Sequence, residues 1–132
     1  MSKTYEFLKE CGVFWVSTVN NNTPAVRPFG AVMEYNHHLY ISTGITKDVY
    51  SQLISNQNVQ IASLPSGTRD WIRITGKAIK VDALEEKNAM LDACPILNKR
   101  FSSANDDNFA LFRIDDMISM IYTDKGGFLI DN

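Results

Sequence analysis

Val13-Phe14-Trp15-Val16-Ser17-Thr18-Val19-Asn20-Asn21-Asn22-Thr23-Pro24-Ala25-Val26-Arg27-Pro28-Phe29-Gly30 is the stretch from which the fold is read. Residues 13 to 19 are rich in β-branched and aromatic side chains, which favour a pleated strand. Asn20 to Thr23 form a turn, because asparagine tolerates positive φ and bonds its own backbone. Residues 25 to 35 return as a second strand, and so short a connection implies antiparallel pairing. The pattern then recurs. Asn36-His37 leads into a strand over 38 to 43. Pro65-Ser66-Gly67 separates strands over 58 to 64 and 70 to 82. Residues 109 to 115 and 118 to 123 read as a final hairpin pair, followed by Gly126-Gly127 and an apolar stub, Phe128-Leu129-Ile130.

Helical spacing appears in three places. Residues 2 to 11 put Phe7, Leu8 and Cys11 on one face, with Ser2 as cap and Gly12 as stop. Residues 46 to 55 space Val49, Leu53 and Ile54 helically, with an ordinary N-cap expected at Thr46. Residues 84 to 93 carry Leu84, Met90 and Leu91. Residues 95 to 107 show no single period. Strands outnumber helices, so the expectation is a mainly β fold with some α. We read a six- to seven-stranded antiparallel barrel with a few flanking helices, as a single domain over residues 1–132.

The bulk numbers narrow the function. With 132 residues, 45% of them apolar, the chain can bury roughly two-thirds of its unfolded surface. Thirteen basic against 15 acidic residues leave a net charge of −2, which argues against a nucleic-acid partner. No polybasic run suggests a membrane surface, and no apolar run is long enough for a leader or a spanning helix. Cys11 and Cys94 are too far apart for a zinc motif and too few for a disulfide framework. They read as reduced thiols in a cytoplasmic protein, Cys94 as a buried filler.

Three segments can carry chemistry. In Val26-Arg27-Pro28-Phe29-Gly30, proline frees a ladder position and glycine permits close approach of another group, while Arg27 offers a forked cation for phosphate. An edge strand with a bulge is the commoner reading of such a segment. In Tyr40-Ile41-Ser42-Thr43-Gly44-Ile45-Thr46-Lys47, hydroxyls and a cation meet a helix start, which suits a phosphate monoester. We expect these two segments on neighbouring strands. In Trp71-Ile72-Arg73-Ile74-Thr75-Gly76-Lys77-Ala78, alternation puts Ile72 and Ile74 on one face and Trp71, Arg73, Thr75 and Lys77 on the other. That second face is either solvated sheet or a contact surface. His37 and His38 are adjacent in a turn and poorly placed as a metal pair, and no metal site is expected.

The order and spacing of these segments resemble the pyridoxamine 5′-phosphate oxidase-like family of FMN-binding split barrels, from about residue 5 to residue 123. The resemblance implies FMN as cofactor. It implies that Arg27 and Lys47 hold the phosphate, with Ser42 and Thr43 lending hydroxyls or N–H groups. The backbone of Val26, Arg27, Pro28, Phe29 and Gly30 would lie beside the isoalloxazine ring. Trp71 falls where the family places a flavin-contacting residue, often glutamine. It also implies a homodimer with FMN in the cleft between subunits, Arg73 or the last strand reaching the partner's flavin. The chain lacks the C-terminal R-x-H pattern of the true pyridoxamine phosphate oxidases, and Tyr122 is the aromatic nearest to a tryptophan they carry. It looks more like the small members, of the nitroimidazole-resistance and general stress protein type. The function so implied is an FMN-dependent oxidoreductase with a small-molecule electron donor or acceptor. The alternatives are a flavin store or redox sensor, a haem- or F420-binding relative in which His37 and His38 become suspects, and a cofactor-free interaction module.

Overall fold

A computed structural model describes all 132 residues. The first helix, α1 (Lys3–Cys11), begins where the Ser2 side chain accepts the Tyr5 N–H. It stops at Gly12, whose φ of 78° suits glycine. Eight strands follow in one antiparallel sheet: β1 (Phe14–Asn20), β2 (Thr23–Phe29), β3 (Met33–Tyr35), β4 (His38–Gly44), β5 (Asn58–Ser63), β6 (Trp71–Val81), β7 (Phe109–Thr123) and β8 (Gly126–Asp131). Two more helices interrupt them, α2 (Asp48–Ser55) and α3 (Leu84–Ala93), and Pro95–Lys99 forms a short 3-10 turn.

The strand order is β2-β1-β5-β6-β7-β4-β3, with β8 added beside β7. The sheet curls but does not close, so its edges are β2 and β3. Helix α2 packs against β1 and β4, the strands just inside those edges, and lies across the seam. Its Val49 and Leu53 complete a barrel core with Phe14, Val16, Ile41, Ile61, Ile74 and Phe112, whereas Ile54 points outward. A second core, on the far side of β4 and β7, gathers Tyr40, Met90, Leu97, Phe101, Phe109 and Leu111 under α3. Leu84 stays exposed. Cys94 belongs to this second core, where burial pushes its thiol pKa up.

Several elements differ from the sequence reading, each for a local reason. Residues 25 to 35 are two strands, because Gly30 to Val32 break the ladder; β2 pairs with β1 and β3 with β4. Residues 109 to 123 are one long strand, not a hairpin. Asp115-Asp116-Met117 form a bulge, with Asp116 at a φ of 52° and the register slipping between Thr75 and Lys77. Gly76 is required there, since a Cβ would stand 2.7 Å from Ile114 Cγ2 and 2.9 Å from the Asp115 oxygen. The apolar stub is strand β8, which brings the strand count to eight rather than six or seven. The α2 N-cap is Lys47 rather than Thr46.

The chain's two ends are tied together. Thr4 and Ser119 are fully buried, and the Thr4 hydroxyl bonds Ser119 Oγ at 2.7 Å and Asp131 Oδ2 at 2.6 Å. One proton cannot serve both, so Ser119 donates to Thr4 and Thr4 to the carboxylate. Asp131 also accepts the Thr4 N–H, and Glu34 accepts the Ser2 N–H, so two carboxylates meet the positive end of α1.

Candidate functional site

The first two segments are not on neighbouring strands: β2 and β4 lie toward opposite edges of the sheet. Helix α2 brings them together instead. Arg27 alternates inward with Phe29, while Val26 and Pro28 face out. From β2 its guanidinium crosses to the seam. One nitrogen donates to Thr18 Oγ1 (2.7 Å) and the Val16 carbonyl (3.2 Å), the other to Gln52 Oε1 of α2 (2.6 Å). Thr18 donates to the same Gln52 oxygen at 2.5 Å. All these acceptors are neutral. Burial pulls the Arg27 pKa below its usual value, and Asp48 in the first turn of α2 offsets this only in part. Arg27 is therefore a half-buried cation without a carboxylate within 4.0 Å.

Lys47, one residue before α2, is exposed and makes no side-chain cap. Thr43 and Ser42 precede it on β4, both buried, but they face opposite sides. Thr43 sits opposite Ala110 of the barrel core, and Ser42 opposite Leu111 of the second core. The Thr43 hydroxyl has only a long contact to the Gly44 carbonyl. Ser42 Oγ has no hydrogen-bond partner, and neither has Asn108 Oδ1. Asn108 packs against Gly44, where a Cβ would stand 3.1 Å from its side chain. Two unpartnered polar atoms thus lie near the end of β4 that feeds α2. Gly30 needs no side-chain-free position for the chain's own sake, since a Cβ there would meet only the Gly12 oxygen at 3.8 Å.

The third segment is on the outer face. Trp71 stacks on Tyr122, its cross-strand partner, with centroids 4.6 Å apart and planes at 20°. Arg73 stands 5.0 Å from the Trp71 centroid and 5.1 Å from that of Tyr122, and donates to the Tyr122 hydroxyl at 3.2 Å. His38, the exposed first residue of β4, has its Nδ1 2.9 Å from the Asn36 carbonyl; His37, in the turn before it, has a φ of 65°.

Of the nominated residues, the structure joins Arg27 to α2, whose N-cap is Lys47, and Trp71 to Arg73. It does not join the two groups to each other. Sequence reasoning passed over Thr18, Gln52 and Asn108. Gln52 reads as helix surface, and the only signal was its spacing of one helical turn from Asp48. Two of the molecule's surface cavities measure about 380 Å³ and 500 Å³. Neither is lined by a nominated residue: the first lies over β1, β5 and β6, the second between α2, α3 and the loop before β7.

A family model described as pyridoxamine 5′-phosphate oxidase matches residues 2–115. A NimC/NimA family protein of Clostridium acetobutylicum superposes with a TM-score of 0.91 at 38% identity, over 97% of this chain and 89% of that one. A pyridoxamine 5′-phosphate oxidase-related, FMN-binding protein of Nostoc punctiforme superposes at 0.67 with 15% identity, covering 96% and 91%. A haem-binding protein of Mycobacterium smegmatis does so at 0.69 with 13% identity, covering 85% and 49%. The last two likenesses speak for the fold alone. Among curated proteins, no sequence matches.

Proposed function

The chain belongs to the pyridoxamine 5′-phosphate oxidase family, and on that premise we propose that it binds FMN and serves as an FMN-dependent oxidoreductase acting on a small molecule. The observation that carries this is Arg27, an oriented and half-buried guanidinium that meets only neutral acceptors, among them Gln52 midway along α2. A phosphate monoester there would gain charge-assisted bonds from Arg27 and Lys47 and the dipole of a helix start. The open backbone at Gly30 fits the same ligand. Bound FMN would supply hydride or electron transfer, and the protein would supply binding, orientation and exclusion of water. In this reading Val26 to Gly30 run along the ring, Thr43 adds a hydroxyl or an N–H group, and Trp71 and Arg73 stand at the ring's far side.

The outer face supports a homodimer with FMN at the subunit interface. Trp15, Val26, Ile118 and Leu129 are each at least half exposed there, at 50%, 62%, 50% and 54%. A partner subunit would cover these apolar side chains. No helix is long and apolar enough to cross a membrane. Cys11 and Cys94 are free thiols, which fits a reducing, cytoplasmic setting.

The test is the visible spectrum of the purified protein, before and after adding FMN and desalting. Flavin bands near one per chain are expected, bleached by a reductant such as reduced nicotinamide. A colourless protein that releases added FMN would remove this function and leave the fold standing.

A further inference from the structure

On the outer face we infer a recognition device, built from Arg73, Trp71 and Tyr122, for a small planar aromatic carboxylate. It rests on the flavin reading above, because it names the class of compound presented to the bound cofactor.

The three groups form a near-equilateral triangle. The ring centroids are 4.6 Å apart, and the guanidinium carbon is 5.0 Å and 5.1 Å from them. Three adjacent strands build it. Trp71 is on β6, Tyr122 on β7, and Gly127 of β8 lies opposite Tyr122. A Cβ at Gly127 would come within 2.7 Å of the tyrosine ring, so glycine lets that ring lie flat and face Trp71. The hydrogen bond to the Tyr122 hydroxyl and the cation–π contacts then hold Arg73 in one orientation.

Arg73 is oriented but not neutralised. No carboxylate lies within 4.0 Å of it. Its cross-strand neighbours are Ala62 on one side and Met120 on the other. One N–H is taken by Tyr122, and the rest of the fork is open to a planar bidentate acceptor, which is the shape of a carboxylate. The neighbouring aromatic surface favours a ring attached to that carboxylate. Beside it a groove of about 380 Å³ begins at Thr75 and Gln60, in the next row on the same face, and no charged residue lines it; in the proposed homodimer this groove opens into the cleft between subunits. Arg73 is the charge in the adjoining row, so an acidic ligand would place its anion on Arg73, its ring against the neighbouring aromatic surface and any further substituent toward the groove.

The probe is benzoate, compared with its neutral isostere benzamide and with acetate. The readout is the indole N–H signal of Trp71 in the FMN-loaded protein, identified with Trp71→Phe. Benzoate should shift that signal saturably, with benzamide and acetate at least tenfold weaker. In Arg73→Gln the preference for benzoate over benzamide should vanish, and Arg73→Lys should restore it only in part. Equal binding of benzoate and benzamide overturns the inference. So does an Arg73→Gln variant that keeps the preference while losing FMN or the dimer, for Arg73 would then serve the cofactor or the partner. If the wild type holds no FMN, the flavin reading fails, and the same titration on the cofactor-free protein still decides the device.

Discussion

Arg27 and Arg113 are both partly buried arginines on strands, and their surroundings treat them in opposite ways. Arg113 on β7 grips Asp115 two residues on with two bonds, Nε to Oδ1 at 2.6 Å and Nη2 to Oδ2 at 2.9 Å. That bond raises the Arg113 pKa and lowers that of Asp115. Tyr40 joins the group by donating to Glu86 at the start of α3, and burial raises its phenol pKa first of all. Arg27 meets a threonine, a carbonyl and a glutamine, and burial lowers its pKa. A cation with its own carboxylate is a structural part. A cation given orientation with only the partial compensation of Asp48 is, in the function proposed above, the one that meets an anion from outside.

The largest effect should come from breaking the site side of this contrast. Arg27→Ala with Lys47→Ala should weaken FMN binding by about 3–6 kcal/mol, since each charge-assisted bond to phosphate contributes about 1.5–3 kcal/mol. Fluorescence titration with FMN measures it, and an unchanged affinity would sink the proposed phosphate site. Arg113→Met should do the reverse. FMN affinity should stay as it is, while denaturant unfolding shows a loss of about 1 kcal/mol. Part-exposed pairs are worth little, but this one is bidentate and leaves Asp115 stranded. If Arg113→Met instead abolishes FMN binding with stability unchanged, the contrast is drawn between the wrong arginines.

A smaller effect sharpens the same point. Arg27→Met in the cofactor-free protein should change stability by no more than about 0.5 kcal/mol, and the change should be a gain. Removing the charge relieves a burial cost, and Thr18 and Gln52 remain bonded to each other at 2.5 Å. A loss of several kcal/mol in urea unfolding would make Arg27 a structural part after all.

The two regions also differ in how far the sequence reveals them. Alternation in residues 71 to 78 assigns both faces of β6 correctly, because a two-residue period is local information. The capping of α1 by Ser2 and Gly12 is equally local. The proximity of Arg27 to α2 is not, since it depends on a helix spanning the seam between two strands far apart in the sheet. Thr18 therefore carries no signal until the fold exists, and Gln52 only its helical spacing from Asp48. The long β7 was misread for a related reason. Asp115-Asp116 has the composition of a turn, but Asp116 takes its positive φ in a bulge that pairing with β6 holds in place. Tyr122 was visible only as an aromatic near the chain's end; its stack on Trp71 needs that same register.

The Arg113 side makes its own prediction, the smallest. Hydrogen bonding from Arg113 depresses the Asp115 pKa, with burial acting the other way and nearby Arg113 and His38 charges assisting. A carboxylate with a folded pKa below its unfolded value stabilises the protein above the unfolded value, near pH 4, and loses that contribution as pH falls through the folded value. Wild type should therefore be more stable than Asp115→Asn at pH 6 to 7, and the gap should narrow steadily below about pH 4. Asp115 is close to the surface, so salt should shrink the gap as well. Urea unfolding of both proteins across that range tests it. A gap that stays constant with pH would mean that Asp115 acts by shape alone. Arg113 would then be as uncompensated as Arg27, and the distinction between the two regions would rest on position rather than on charge.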